Sequence, residues 1–529
     1  MLRDRLRRAA APGAAFAAGL VHAASFAPLG LWWLQLLALA AAIRIACAAR
    51  SPTLAGLAFG FGWFVSGVAW LFVSMHRYGG MPAPMAAAAL VLFALYLGAF
   101  AATGIALATP SLRRALPGGA GRTPRGVAGA ALLFAGLWGA GEMLRGWLFT
   151  GFPWLSSGYA QVDGPLAGLA PAVGVHGVGA AAALVAAALA LAAPPSRREG
   201  ESAGPGASAG RRAASGALAA ALACLALPLL AGLALLPVRW ADEVGEPIRV
   251  RLLQGNVPQQ MKFDPARSVA AMQAYAQAIA AEPADLIVLP ETAWTVPWSR
   301  TPPSIAAAIV DAVGDGVVAI GMPLPARTRR GEPTLSNSVA AIGAGGPLPW
   351  RYDKRHLVPF GEFVPPGFRW FVDMMEIPLG DFGRGAPHQP ALDVRGQRLA
   401  FNICYEDIFG RELAPQVRDG ATILVNVSNI AWFGESHALP QHLQIARMRA
   451  IEFARPMLRA TNTGVTAAID ARGRVLGALR PHSEESLAAS LRGTSGLTPY
   501  ARAGDLAPLA LVAALALAGL AFGAAAPRE

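Results

Sequence analysis

Seven apolar runs, each long enough to cross a bilayer, crowd the first 237 residues of this chain, and an eighth lies near its end. They occupy about 10–28, 30–48, 54–74, 82–108, 124–145, 164–193, 214–237 and 504–526. Each supplies the roughly 20 apolar residues that a helix needs to cross the hydrocarbon core. The 529 residues are accordingly 54% hydrophobic and only 14% charged, where soluble domains carry about a quarter charged residues. The first run follows Arg3, Arg5, Arg7 and Arg8 and is interrupted by Pro28, which imitates a signal peptide. The spans that follow it make a cleaved leader unnecessary.

The formal charge of +12 could point to nucleic acid, but the basic residues of the first half sit in short joints between apolar runs. Arg50, then Arg113, Arg114, Arg122 and Arg125, then Arg197, Arg198, Arg211 and Arg212 mark alternate joints on the side of the basic N-terminus. The positive-inside rule places that side in the cytoplasm. An even number of spans then leaves both termini inside and the long stretch between spans seven and eight outside. The expected division is 1–237 for seven transmembrane helices, 238–502 for an extracytoplasmic domain, and 503–529 for an eighth helix and tail. A glycine- and serine-rich joint at 200–210 reads as flexible.

The outer joints differ in kind. His76 and Arg77 follow span three, and RGWLFTGFPWLSSGY occupies 145–159. This is either an aromatic belt with a basic end or the mouth of a lipid site, with Arg145 meeting a phosphate. Glu142 stands three residues before Arg145, a spacing that favours an ion pair. His22, Arg44 and His176 are further polar groups inside the spans, with no role assigned by sequence.

From about 247 to 501 charges return and strand-like runs end in polar clusters. Apolar strands at 248–253, 285–289, 317–320, 337–342, 399–403 and 422–427 alternate with helices at about 265–281 and 441–455, and a last strand pair covers 465–469 and 475–479. Asp264 caps the first helix, Pro265 fills its first position and Pro456 stops the second. Such alternation implies a layered α/β or αββα domain in which functional groups gather beyond strand ends.

Two strand ends carry candidates. Glu291 follows 285–289, and Cys404, succeeded at once by Tyr405, Glu406 and Asp407, follows 399–403. Cys47 and Cys224 lie in apolar segments and read as small buried hydrophobes; three uneven cysteines make no disulfide framework. A third candidate is the Pro- and Gly-rich loop at 352–366, with Asp353, Lys354, Arg355, His356 and Glu362. A thiol nucleophile needs a base and a cation or amide donors for its oxyanion. Glu291, Lys354 and Cys404 could supply base, cation and nucleophile; His356 offers a competing Cys/His scheme that spacing leaves open. No metal-ligand spacing surrounds Cys404.

These stretches resemble the apolipoprotein N-acyltransferases, membrane enzymes with an outer domain of the nitrilase superfamily. The matching segments are QGNVPQ at 254–259, LPET at 289–292, YDKRHLVPFGEFVP at 352–365, ICYED at 403–407, AWFG at 431–434, QHLQIARMRAIEFARP at 441–456 and RATNTGVTA at 459–467. The resemblance implies a multi-pass α-helical domain joined to a nitrilase-like αββα sandwich, in the bacterial inner membrane with the catalytic domain in the periplasm. It implies Glu291 as general base, Lys354 as transition-state stabiliser and Cys404 as nucleophile. Glu362 and Glu406 resemble supporting positions, and Tyr405 and Trp432 aromatic positions near the cleft; Phe360, Phe363 and Phe433 are further wall candidates. Two departures are Ile430, where the family pattern has Asp, and Leu439-Pro440 before Gln441. The implied reaction moves an sn-1 acyl chain from a phospholipid through a Cys thioester to the N-terminal S-diacylglyceryl cysteine of an apolipoprotein. It needs no cofactor, metal or nucleic acid and is served by a monomer. A membrane-tethered amidase or nitrilase-like hydrolase could use the same three groups; a transporter, suggested by span count alone, would place its polar groups within the spans.

Overall fold

In the computed structural model, residues 2–119, 122–192, 207–259, 264–328, 331–365, 367–369 and 382–524 are described. Arg197, Arg198 and the first part of the glycine-rich joint lie outside them. The chain forms two compact units. One comprises Met1–Ala69, Ala87–Val238 and Asp505–Glu529; the other comprises Trp70–Ala86 and Arg239–Gly504.

The first unit is helical. Among the described residues five helices are long and apolar enough to cross a membrane, Ala83–Ala115, Pro124–Arg145, Pro165–Ala192, Ala214–Leu235 and Leu506–Ala524, or six if the bent pair Pro52–Gly67 and Trp70–Tyr78 is one span. The first two apolar runs make shorter apolar helices, Ala10–Ala23 and Trp32–Ala48. The run expected at 54–74 is broken, because its helix stops at Gly67 and a separate turn begins at Trp70. Helices in lipid lack a hydrophobic drive to associate, so close backbone approach matters. Gly60 illustrates it: a β-carbon there would lie 2.5 Å from the Gly98 Cα.

Glu142 and Arg145 are buried together at 3.9 Å. Arg145 donates to the Trp154 carbonyl at 2.8 Å and to Ser156 Oγ at 3.2 Å, and Glu142 Oε1 accepts from the Ser157 N–H and Oγ, both at 2.8 Å. With 2% of its surface exposed, Arg145 serves the fold of the 152–157 segment. That corrects the reading in which it meets a lipid phosphate.

The second unit is an αββα sandwich. Strands β1 (Asp242–Gln254), β2 (Leu286–Val288), β3 (Val317–Arg327), β4 (Pro333–Gly343) and β5 (Gly346–Asp353) form one sheet with β12 (Glu485–Ser495), in the order β12-β1-β2-β3-β4-β5. The other, β11-β10-β9-β8-β7-β6, is built from β6 (Leu392–Val394), β7 (Gln397–Ile403), β8 (Ile423–Ser428), β9 (Met457–Thr461), β10 (Ala467–Ile469) and β11 (Val475–Ala478). Alternate residues face opposite sides of a strand, and the burial follows that rule. Val250, Leu252, Leu286, Val288, Leu399, Phe401 and Val425 meet between the sheets. Leu253 and Ile287 turn instead to the outer helices Pro265–Ala281 and Pro303–Val313. Ala400 and Leu424 turn to Gly410–Arg418 and Ala438–Phe453.

At the centre of each sheet the strands run parallel, β1-β2-β3 and β7-β8-β9. Parallel strands deliver their carboxyl ends to one edge, where sites form. β2 leads to Glu291, β7 to Cys404 and β8 to Asn429. The loop expected to begin at Tyr352 is in part strand, since Tyr352 and Asp353 close β5 and Lys354 is the first residue beyond it.

Candidate active site

Lys354 is the hub. Its Nζ lies 3.1 Å from Glu291 Oε1 and 2.9 Å from Glu362 Oε1, with 1% of its side chain exposed. A buried ammonium is costly unless paired, and two carboxylates supply the pairing. They hold the Lys354 pKa well above its ordinary value despite burial, which acts the other way. Asn337, on β4, donates through Nδ2 to Glu291 Oε1 at 2.6 Å and to Glu362 Oε1 at 2.8 Å. Its carbonyl accepts the Lys354 N–H at 2.8 Å. One side chain thus spaces the two glutamates and its backbone fixes the lysine between them.

Glu291 Oε2 accepts the Asn429 N–H at 2.7 Å. Burial raises the pKa of the Glu291 carboxyl, but Lys354, Asn337 and that N–H outweigh it and the net shift is downward. Glu291 therefore stays ionised. Cys404 behaves oppositely: burial, then the Glu291 charge, push its thiol up to about 12 although Lys354 draws it down. The resting site combines a protonated thiol with an ionised carboxylate and a cation. That is the state in which a base must act during attack.

Cys404 opens the 3-10 turn Cys404–Ile408 directly after β7 with φ of 54°. A residue with a β-carbon held there stores roughly 1–3 kcal/mol, and such strain clusters at functional turns. Glu406 holds the turn: Oε2 accepts from the Ile403 N–H at 2.7 Å and Tyr352 Oη at 2.9 Å, Oε1 from the Arg355 N–H at 2.6 Å and the His356 N–H at 3.0 Å. Burial pushes Glu406 up to about 7 against these donors. Its four bonds span the lysine loop and the cysteine turn.

His356 is turned toward Glu412, with Nδ1 3.0 Å from Oε1, and its ring stacks on Phe409 at 3.7 Å. The charges that shift the thiol are those of Glu291, Lys354 and Glu362, while the His356 ring is engaged with Glu412 and Phe409. Tyr405 packs edge-on to Phe409 at 5.1 Å and His356 at 5.8 Å. Ile430, the departure from the family pattern, is buried at the head of the turn Ile430–Phe433. Asn429 just before it still reaches Glu291.

Sequence reading missed Asn337, Asn429 and a whole segment. Trp70–Ala86 belongs to this unit. Trp70 donates through Nε1 to Gln441 Oε1 at 3.2 Å and packs on Phe433 at 4.4 Å; Tyr78 meets Trp432 edge-on at 6.3 Å. Met81 and Ala86 gather Phe72, Met75, Met85 and Phe360. Trp432 and Phe433 thus pack on Tyr78 and Trp70, and Phe360 joins the apolar cluster around Met81 and Ala86 on the same segment. Among the described residues no cluster of His, Cys, Asp and Glu is arranged to hold a metal ion.

Residues 18–188 match the apolipoprotein N-acyltransferase N-terminal domain, and residues 249–500 match the carbon-nitrogen hydrolase domain. The chain is 46% identical to an apolipoprotein N-acyltransferase of Ralstonia nicotianae over 97% of its own length and 94% of that relative. It is 44% identical to one of Bordetella bronchiseptica, covering 97% of each, and 40% identical to one of Nitrosomonas europaea, covering 96% of each. Among solved structures, an amidase from Nesterenkonia sp. aligns with 47% of this chain and 92% of its own at 18% identity and a TM-score of 0.34.

Proposed function

The chain belongs to the apolipoprotein N-acyltransferase family, and on that premise we propose that it transfers a fatty acyl chain from a membrane phospholipid to the α-amino group of an N-terminal S-diacylglyceryl cysteine on an apolipoprotein. Glu291 takes the Cys404 proton as the thiolate attacks the sn-1 ester carbonyl. The charge that develops on that oxygen is met by the Lys354 ammonium and the backbone N–H after Cys404. The ester C–O bond breaks, the leaving lysophospholipid oxygen receives the proton from Glu291, and an acyl-thioester remains. In the second half-reaction the lipoprotein amine attacks the thioester and Glu291 takes a proton from it. The C–S bond breaks and that proton returns to sulfur, a ping-pong sequence.

What supports this reading above all is the doubly paired lysine. Glu362 and Glu291 share Lys354 Nζ at 2.9 and 3.1 Å, so neutralising one carboxylate leaves the cation held by the other. Glu291 can therefore gain and lose a proton in each half-reaction without releasing Lys354. Glu362 and Glu406 act through Lys354 and the cysteine turn, Tyr405 presents the backbone amide, and Trp432 lines the acyl chain's path. Phospholipid and lipoprotein are both lipid-anchored, which suits an inner-membrane protein.

In the same reading the apolar runs make eight spans, with both termini cytoplasmic. The domain at 238–502 faces the periplasm, between seven spans at 1–237 and the last at 503–529, and the chain works as a monomer. The test is an assay of purified protein with phospholipid and a diacylated lipopeptide, following lysophospholipid and N-acylated peptide together. Equal yields of the two are expected. Lysophospholipid released with free fatty acid, and no N-acyl product, would replace transfer by hydrolysis.

A further inference from the structure

The Cys404 turn is held from a direction that the steps above leave unused. Its carbonyl oxygen has two side-chain neighbours at hydrogen-bond distance, Asn426 Nδ2 at 3.1 Å and His442 Nε2 at 3.2 Å. His442 also stands 2.9 Å from Asp407 Oδ1 through the same nitrogen, and its Nδ1 lies 2.7 Å from Arg459 Nη2. A guanidinium can only donate. Nδ1 is therefore the acceptor, the ring proton is on Nε2, and that proton is shared between Asp407 and the Cys404 carbonyl. Arg459 closes the set with Nη1 3.0 Å from Asp407 Oδ2 and 3.2 Å from Asn426 Oδ1. All four side chains are at most 1% exposed. Burial and the Arg459 charge lower the His442 pKa, in keeping with a neutral ring.

Across a planar trans peptide the carbonyl of one residue and the N–H of the next point in opposite directions. Holding the Cys404 carbonyl therefore aims the Tyr405 N–H. Hydrogen bonds accepted by a carbonyl also polarise its peptide and strengthen the N–H at the far end. We propose that His442 and Asn426 are positioning residues for the oxyanion: by gripping the Cys404 carbonyl they fix the plane of the Cys404–Tyr405 peptide and sharpen the amide that receives the developing charge. Asp407 and Arg459 hold the imidazole in the tautomer that donates. The inference rests on the acyl-transfer reading of Cys404.

Two reactions of the same thiol separate this role from a general structural one. Acylation by phospholipid builds an oxyanion; alkylation by iodoacetamide displaces iodide and builds none. Losing an oxyanion donor outright costs about 100- to 1,000-fold, so weakening one through its peptide should cost roughly 30- to 100-fold. In the full-length protein His442→Leu is expected to slow single-turnover acylation by about that factor and to leave alkylation within about threefold. His442→Gln, whose amide can both donate to the carbonyl and accept from Arg459, should recover acylation to within about tenfold of wild type. Asn426→Ala removes the other donor with the histidine in place and should cost about tenfold in acylation alone, which keeps the test alive where the leucine variant does not fold. Parallel losses in acylation and alkylation, or unchanged acylation in both donor-deleting variants, would overturn the proposal. A wild-type protein that alkylates at Cys404 but never forms the acyl-enzyme would overturn the acyl-transfer reading, and this inference with it.

Discussion

Glu362→Gln changes one charge without changing shape, and the site's hydrogen bonds fix what must follow. Glu362 Oε1 accepts from Lys354 and Asn337, while Oε2 accepts from the Val358 N–H at 2.9 Å. A glutamine offers one oxygen and one NH2 to positions that both need acceptors. In either orientation a donor faces a donor. A hydrogen bond to a charged group is worth about 1.5–3 kcal/mol, which, at about 1.4 kcal/mol per factor of ten, is roughly 10- to 150-fold if the loss falls on the transition state. The thiol should respond in the opposite sense. The Glu362 charge is one of the groups that push Cys404 up to about 12, so its removal makes the thiol more acidic. Single-turnover acylation, read as acyl-enzyme by intact mass spectrometry, should therefore slow while the pH midpoint of iodoacetamide alkylation moves down. Acylation within threefold of wild type, or an alkylation midpoint that stays or rises, would refute the reasoning.

Three further expectations follow from the same geometry. Cys404→Ser should yield no acyl adduct on incubation with phospholipid, and a normal yield by mass spectrometry would remove Cys404 from the mechanism. Burial pushes the folded-state pKa of Glu406 up to about 7, so the stability it contributes is complete below the ordinary glutamate value of about 4.3 and is lost as pH rises through about 7. Wild type should lose on the order of 3 kcal/mol relative to Glu406→Gln across that window, and parallel stability curves from pH 4.5 to 7.5 would contradict it. The proposed topology places Asp393, whose side chain is 74% exposed on edge strand β6, in the periplasm. A single cysteine there should react with an impermeant reagent added to cells with a permeable outer membrane, and labelling only after the inner membrane is breached would reverse the orientation.

The parts of the candidate site legible in sequence are side chains at the ends of apolar strands. Glu291 follows β2 and Cys404 follows β7 because a parallel strand must stop somewhere, and its stop is where polar residues resume. What escaped were groups with no pattern of their own. Asn337 lies inside a strand that the apolar run at 337–342 located, but nothing local says that its amide spans two distant glutamates. Asn429 contributes a backbone N–H, which every residue but proline carries. β12 has mixed burial along its length and so lacks the unbroken apolar run that marked the central strands. The run at 54–74 bends by 53° between Gly67 and Trp70, which hydropathy does not register. That Trp70 and Tyr78 pack on Phe433 and Trp432 depends on pairings across some 350 residues, which no window of local sequence contains.

Glu406 has a consequence for how such a chain can vary. Its carboxylate ties Tyr352, Arg355 and His356 to Ile403, so the register between Lys354 and Cys404 is held by a direct clasp across the fold as well as along the chain. The described residues before β6 add to this register, the Gly385 N–H donating to the Lys354 carbonyl at 2.9 Å and the Gln389 side chain bonding the Asp353 N–H and carbonyl at 2.8 and 2.7 Å. Among related sequences Glu406 and Tyr352, whose side chains make the clasp, should therefore vary least, while the three backbone donors exclude only proline.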